Sequence, residues 1–199
     1  MDFSGEYTIP STKQKVWDAL NDPEVLKQCI DGCEELKKES DSEFSARVTA
    51  KVGPVRAKFS GKVTLSDIDP PNGYKISGEG QGGVAGFAKG GAVVKLEDSD
   101  GSTKLTYSAE AEVGGKLASV GSRLVEGVAK KTADDFFGKF AEIVSVDSKL
   151  GEKLEDKETK VPQVEQVAQG SNTKSGNARI LWGVGAAVVI VAILYTIFG

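Results

Sequence analysis

The 199-residue sequence contains no histidine. That removes the commonest general base and the commonest metal ligand together, and no Ser–His or Cys–His nucleophile pair can be assembled. Cysteine is scarce: Cys29 and Cys33 are the only two. Two thiolates make half of a tetrahedral metal site, and no imidazole exists to complete it. At the end of a short helix the pair reads as small buried hydrophobes. Basic runs are also missing. The net charge is −4 and no tract of Lys and Arg offers a track for phosphates, so nucleic acid is not an expected partner. There is no secretory pattern at the N-terminus, where Met1-Asp2-Phe3-Ser4 runs straight into a strand. The cytosol is therefore the expected compartment of the folded part, with the cysteines as thiols. Carboxylates are plentiful, but Glu34-Glu35, Asp134-Asp135 and Glu110/Glu112 fall on wet faces and read as solubilising charge. Nothing marks an enzyme, and the expectation is that the protein is not one.

What the chain does have is alternation. Phe3, Gly5, Tyr7 and Ile9 share one face of an opening strand, which Pro10 ends. Ser11 is placed to cap a helix, with Gln14 completing a capping box and Val16, Trp17 and Leu20 on its buried side. A second short helix follows Asp22-Pro23 and runs to about Gly32. From Glu34 the two-residue period returns and persists to Val113, broken by Gly53-Pro54, by Asp69-Pro70-Pro71-Asn72-Gly73 and by Asp98-Ser99-Asp100-Gly101. This predicts an antiparallel meander with one wet and one dry face.

The dry face is rich in small residues: Ala46, Ala50, Ala57, Gly61, Gly78, Gly80, Ala88, Gly90, Ala92, Ala109 and Ala111. A helix is predicted to cover it from about Gly114 to Val144. Its apolar stripe would be Leu117, Val120, Leu124, Val128, Thr132, Phe136, Phe140 and Ile143. Roughly thirty helical residues span about 45 Å. Small residues under such a stripe either let helix and sheet approach closely or leave an apolar cavity. The cavity is the functional expectation, and a ligand in it would be greasy. The glycine-dense Gly78–Gly91 lacks the Gly-Lys-Ser/Thr ending of a phosphate loop and opens no helix, so it reads as sheet curvature, with residues 82–87 as a mobile apolar lid.

The domain is expected to occupy residues 1–146. Residues 147–178 are polar, without an aromatic residue, and read as a flexible linker that includes a short frayed helix. Residues 179–199 read as a transmembrane tail anchor. Ile180–Phe198 carries no charge and is just long enough to cross a hydrocarbon core of about 30 Å. Trp182 and Tyr195 sit near its ends, and Lys174 and Arg179 precede it. The expected location is the cytoplasmic membrane, with a single C-terminal pass and the N-terminal domain in the cytoplasm.

Several stretches resemble one family. Ile9-Pro10, Val16-Trp17-Asp18-Ala19-Leu20-Asn21-Asp22-Pro23, Gln28-Cys29-Ile30, Gly32-Cys33-Glu34, Val52-Gly53-Pro54-Val55, Phe59 with Gly61, the glycines of 78–91 and Gly114-Gly115-Lys116-Leu117 are similar to the CoxG subunit of carbon monoxide dehydrogenase, in the SRPBCC or START-like superfamily. Family members often read Cys-Ile-Pro-Gly-Cys where this chain has Asp31 in the middle. The resemblance implies an α+β helix-grip fold: a curved antiparallel sheet wrapped around a long C-terminal helix, enclosing a deep apolar cavity. It also implies a partner, a carbon monoxide dehydrogenase-type molybdenum hydroxylase. With the membrane tail, this leads to an isoprenoid quinone, menaquinone or ubiquinone, as the expected ligand. Candidate lining residues are Val48, Phe59 and Ile76 from strands, Val84 and Phe87 from the glycine segment, and Leu117, Val120, Leu124 and Phe136 from the helix. The alternatives are a ligand-free membrane-recruitment adaptor and an enzyme acting on a hydrophobic substrate.

Overall fold

The computed structural model describes residues 1–155. Seven strands form one sheet in the order β1-β7-β6-β5-β4-β3-β2, antiparallel throughout. They are β1 (Asp2–Ile9), β2 (Cys33–Lys38), β3 (Glu43–Val52), β4 (Val55–Asp69), β5 (Gly73–Gln81), β6 (Phe87–Ser99) and β7 (Ser102–Gly114). Two short helices, α1 (Lys13–Leu20) and α2 (Pro23–Cys29), lie between β1 and β2, and α3 (Ser122–Glu155) closes the described chain. The expected helix-grip arrangement is present, and β1 and β3 to β7 have the side-chain parity that the alternation predicts.

Turn chemistry sets the registers. β6 and β7 join through Asp100-Gly101, both with positive φ, as a two-residue hairpin with right-handed twist requires. β3 and β4 join through Gly53, at φ +56°, and Pro54, with Val52 paired to Val55. α2 starts as expected: Pro23 occupies the first turn, and the Asp22 side chain accepts from the Glu24 N–H at 2.8 Å. For α1 the cap moves by one residue. Thr12, not Ser11, accepts from the Lys15 N–H, and Gln14 donates to Asp18 rather than completing a capping box. Ser11 is buried instead, where its carbonyl accepts from the Thr103 hydroxyl at 2.8 Å.

The larger correction concerns α3. The helix begins at Ser122, after a 3₁₀ turn at Ala118–Val120 and Gly121 at φ +94°, not at Gly114. Its buried residues are Val125, Ala129, Ala133, Phe136, Phe137, Phe140 and Val144. The predicted stripe coincides with this face only at Phe136 and Phe140. Toward the N-terminus it is one residue out of phase, and Leu124 is 42% exposed. That stripe follows the bulkiest apolar side chains. The fold turns the helix so that Ala129 and Ala133, both fully buried, face the interior. α3 continues nine residues beyond Val146, the expected end of the domain. Ile180–Phe198 lies outside the described residues. Among the described residues no helix is long and apolar enough to cross a membrane.

The link between α2 and β2 fixes α3 as well. Gly32 takes φ +72°, and a Cβ there would sit 2.1 Å from the Thr49 carbonyl oxygen, whose own N–H donates to Gly32 at 2.9 Å. Asp31, the residue that departs from the family's usual proline, forms an ion pair with Lys139 on α3. Cys29 is buried and Cys33 half-buried, both as free thiols. Burial pushes the Cys29 thiol up to about 12.

Two measurements check this. Gly101→Ala, with a positive φ but open space, costs about 1–2 kcal/mol; Gly32→Ala costs clearly more, because it adds a backbone clash, and equal denaturant midpoints for the two variants would contradict the packing. Ellman's reagent at pH 8 labels at most one thiol, Cys33, in the native protein, and Cys29 only on unfolding. Burial raises the folded thiol above its ordinary 9.0, so its contribution is complete below that value. It is lost as pH rises toward 12, and the denaturant midpoint falls over that window.

Candidate ligand site between helix and sheet

Three connections meet at one end of the sheet: the β3–β4 hairpin, the loop of residues 82–86, and the segment 115–121 that leads into α3. The Leu117 N–H donates to the Ala85 carbonyl at 3.1 Å, and the Gly82 N–H donates to Gly86 at 2.8 Å. The backbone of Gly86 lies directly against Gly114 and Gly115, where a Cβ would stand 2.0 Å from the Gly114 oxygen. Gly82 sits against the Phe59 ring, and the Leu124 side chain reaches the backbone of Gly53. The glycines of this region are therefore places where rings and backbones come close. The 82–86 loop is tied down by these bonds at its base.

The predicted lining residues divide by depth. Val48, Phe59, Ile76, Leu117 and Phe136 are buried in the single hydrophobic cluster of the domain. Phe87 and Val120 are half-buried. Val84 and Leu124 are at the surface, 85% and 42% exposed. The first five belong to the interior and the other four surround the end where the three connections meet.

The described openings lie elsewhere. One, of about 270 Å³, runs between α3 and the β1/β7 edge. Phe3, Tyr107 and Ala129 line its apolar part, with Asp2, Ser4, Glu126 and Lys130 at the rim. It falls just below the roughly 300–1,000 Å³ of ordinary ligand pockets. Beside it stands an aromatic stack: Tyr7 on Phe137 with ring centroids 4.1 Å apart, and Tyr107 on Phe137 at 6.0 Å. The Tyr7 hydroxyl donates to Asp134 at 2.8 Å. Burial first, and then the Asp134 carboxylate, hold the Tyr7 phenol far above its ordinary value; Tyr107 is raised by the same two causes. A larger groove of about 820 Å³ lies on the wet face, where Lys62, Glu79, Lys89, Glu110 and Glu112 stand among smaller and apolar residues.

One residue of the interior is not singled out by the sequence pattern. Tyr74, on the inward side of β5, packs its ring 5.4 Å from that of Trp17. Its hydroxyl is buried and has no hydrogen-bond partner. Burial drives its pKa well upward, so the phenol is a neutral donor at any physiological pH. Leaving such a donor unpaired costs on the order of 1–3 kcal/mol. A tyrosine at an inward position among alanines and glycines is the available signal. The alternation alone counts it as one more apolar strand residue.

No curated protein matches the sequence. Solved structures do. A conserved protein from Geobacillus kaustophilus is 35% identical, with a TM-score of 0.69 over 73% of this chain and 95% of that one. A protein from Thermus thermophilus gives 14% identity and a TM-score of 0.57, covering 74% of this chain and 99% of that one. The ZhuI aromatase/cyclase from Streptomyces sp. R1128 gives 13% and 0.52, covering 73% and 93%. The last two speak for the fold alone. The family profile of the carbon monoxide dehydrogenase CoxG subunit matches residues 5–145. With that match reaching all seven strands and the part of α3 that packs on them, the chain belongs to the CoxG family, on a START-like fold.

Proposed function

We propose that the protein is a membrane-tethered accessory subunit that carries an isoprenoid quinone for a carbon monoxide dehydrogenase-type molybdenum hydroxylase. The family supplies the partner class. A dehydrogenase that oxidises carbon monoxide must discharge two electrons. A quinone accepts two electrons with two protons and delivers them within the bilayer, which links the enzyme to a respiratory chain. The tail read in residues 179–199 keeps the carrier near that bilayer.

The observation that carries this reading is Tyr74. Among the described residues it is the one buried side-chain donor left without a partner, in an interior otherwise built from apolar groups. A greasy molecule with a carbonyl oxygen answers both features, and a plain hydrocarbon answers only the first. The small residues of the inner face and the partly exposed apolar rim of Val84, Val120 and Leu124 support entry of such a molecule.

A second reading has its own support. Five of the nine predicted lining residues are packed in the core cluster, and the opening beside α3 holds only about 270 Å³. A ligand-free adaptor that simply brings the dehydrogenase to the membrane fits those facts.

Residues 1–155, purified from a quinone-replete host and extracted for mass spectrometry, separate the two. Carriage predicts quinone in the extract. It also predicts a fall of about five- to tenfold in Tyr74→Phe at unchanged or improved thermal stability, since the substitution removes one donor of about 1–1.5 kcal/mol. Absence of quinone from both proteins, with tail truncation still releasing the dehydrogenase from membranes, would leave the adaptor.

A further inference from the structure

The end of the domain where the three connections meet differs in charge from the rest. Residues 50–57, 82–88 and 113–125 contain Lys51, Arg56, Lys116 and Arg123 and no carboxylate, in a chain whose net charge is −4. All four cations are exposed. Lys51 and Arg56 face each other across the β3–β4 hairpin, and Leu124, beside Arg123, touches that hairpin at Gly53. Among the described residues none of the four is engaged in an ion pair. In their midst stand Val84 and Leu124, two of the large hydrophobic side chains that remain exposed.

The opposite end has the reverse sign. The turns there carry Asp41, Asp67, Asp69, Asp98 and Asp100. Lysines of the same region pair with three of them: Lys38 with Asp41, Lys75 with Asp67, and Lys13 with Asp98. Cations at the acidic pole are thus partly neutralised, and those at the apolar pole are not. The three connections thus carry four cations around an apolar point, with two neighbouring carboxylates, Glu34 and Glu112, taken up by Lys58 and Lys89.

We propose that this positive end docks on an anionic lipid bilayer, with Val84 and Leu124 entering the headgroup layer and Lys51, Arg56, Lys116 and Arg123 facing lipid phosphates. Cations close to an anionic surface attract it singly, and the attraction fades within a Debye length of about 8 Å at physiological salt. Apolar side chains at the same point hold what the charges collect. An acidic protein face would satisfy the cations but offers less to Val84, which is why the bilayer is preferred. Docking in this pose sets the same end that a ligand would use against the membrane. The proposal rests on the carrier reading only in choosing a membrane as the setting, and it holds for a ligand-free adaptor too.

The test uses the full chain with Cys33→Ser and Val84→Cys, labelled at position 84 with an environment-sensitive fluorophore; Cys29 is buried and stays unlabelled. Quinone-free vesicles are made of phosphatidylcholine alone or with about one-third phosphatidylglycerol. A blue shift on the anionic vesicles is expected. It should vanish at about 1 M salt and in Lys51→Glu/Arg123→Glu, while a label at Asp100→Cys keeps its aqueous emission. Position 84 staying aqueous on vesicles that sediment with the protein would overturn the proposal. So would equal shifts on both lipid mixtures, or a shift seen only when an acidic partner protein is added. Because no quinone is present, failure of the carrier reading leaves this result untouched, and the reverse holds.

Discussion

The inner face of a seven-stranded antiparallel sheet must be taken out of water, and one helix does most of that work here. α3 lies along the sheet with Ala129 and Ala133 fully buried, then widens into Phe136, Phe137 and Phe140. The two halves of the helix therefore serve differently. The aromatic half is stacked: Phe136 with Phe140 at 5.9 Å, and Phe137 against the tyrosines of β1 and β7. It meets α1, α2 and the Asp31–Lys139 pair. The alanine half offers little bulk and is flanked by the gap at Phe3 and Tyr107. A helix anchored by rings at one end and backed by small residues at the other leaves room in one place without loosening the whole domain.

Much of this was legible in the sequence. Period-two alternation gave the inward face of every strand but β2, because parity allows two answers and turns such as Asp100-Gly101 and Gly53-Pro54 admit a single register. The wrong phase of α3 has a physical origin. A stripe drawn through Leu117, Val120 and Leu124 assumes one continuous helix, but Gly121 at φ +94° interrupts it and resets the rotation. The choice between Leu124 and Val125 as the buried residue then depends on how closely the sheet approaches, which a one-chain pattern does not encode. Thr12 displaces Ser11 as the cap for a similar reason: Thr103, ninety-two positions away, bonds to Ser11 from another element.

The candidate site was legible in outline and not in detail. The alternation located an apolar interior, and five of the nine named residues are in it. Val84 and Leu124 qualify by hydrophobicity, and their exposure follows from the 82–86 loop and from the phase of α3, which hydrophobicity does not report. Tyr74 is visible as a letter, but the absence of a partner for its hydroxyl is a property of everything around it. Such an orphaned donor tells more than another buried leucine would. Apolar burial is generic, whereas an unpaired polar atom inside it calls for a particular complementary atom.

Val84 and Leu124 share one end with Lys51, Arg56, Lys116 and Arg123 for a reason that belongs to the topology. Antiparallel strands gather their connections into two poles. The pole that holds the hairpin at Gly53, the 82–86 loop and the entry to α3 is where the interior comes nearest to the outside, since a helix starting at Ser122 leaves the last turn of the inner face to loops. The 82–86 loop stays small and apolar over what lies beneath, which places Val84 at the surface, and the first turn of α3 turns Leu124 outward beside it. Asp67, Asp69, Asp98 and Asp100 stand at the other pole, around Asp100-Gly101 and the turn after Asp69. Val84 and Leu124 set among four cations give this pole a chemistry of its own.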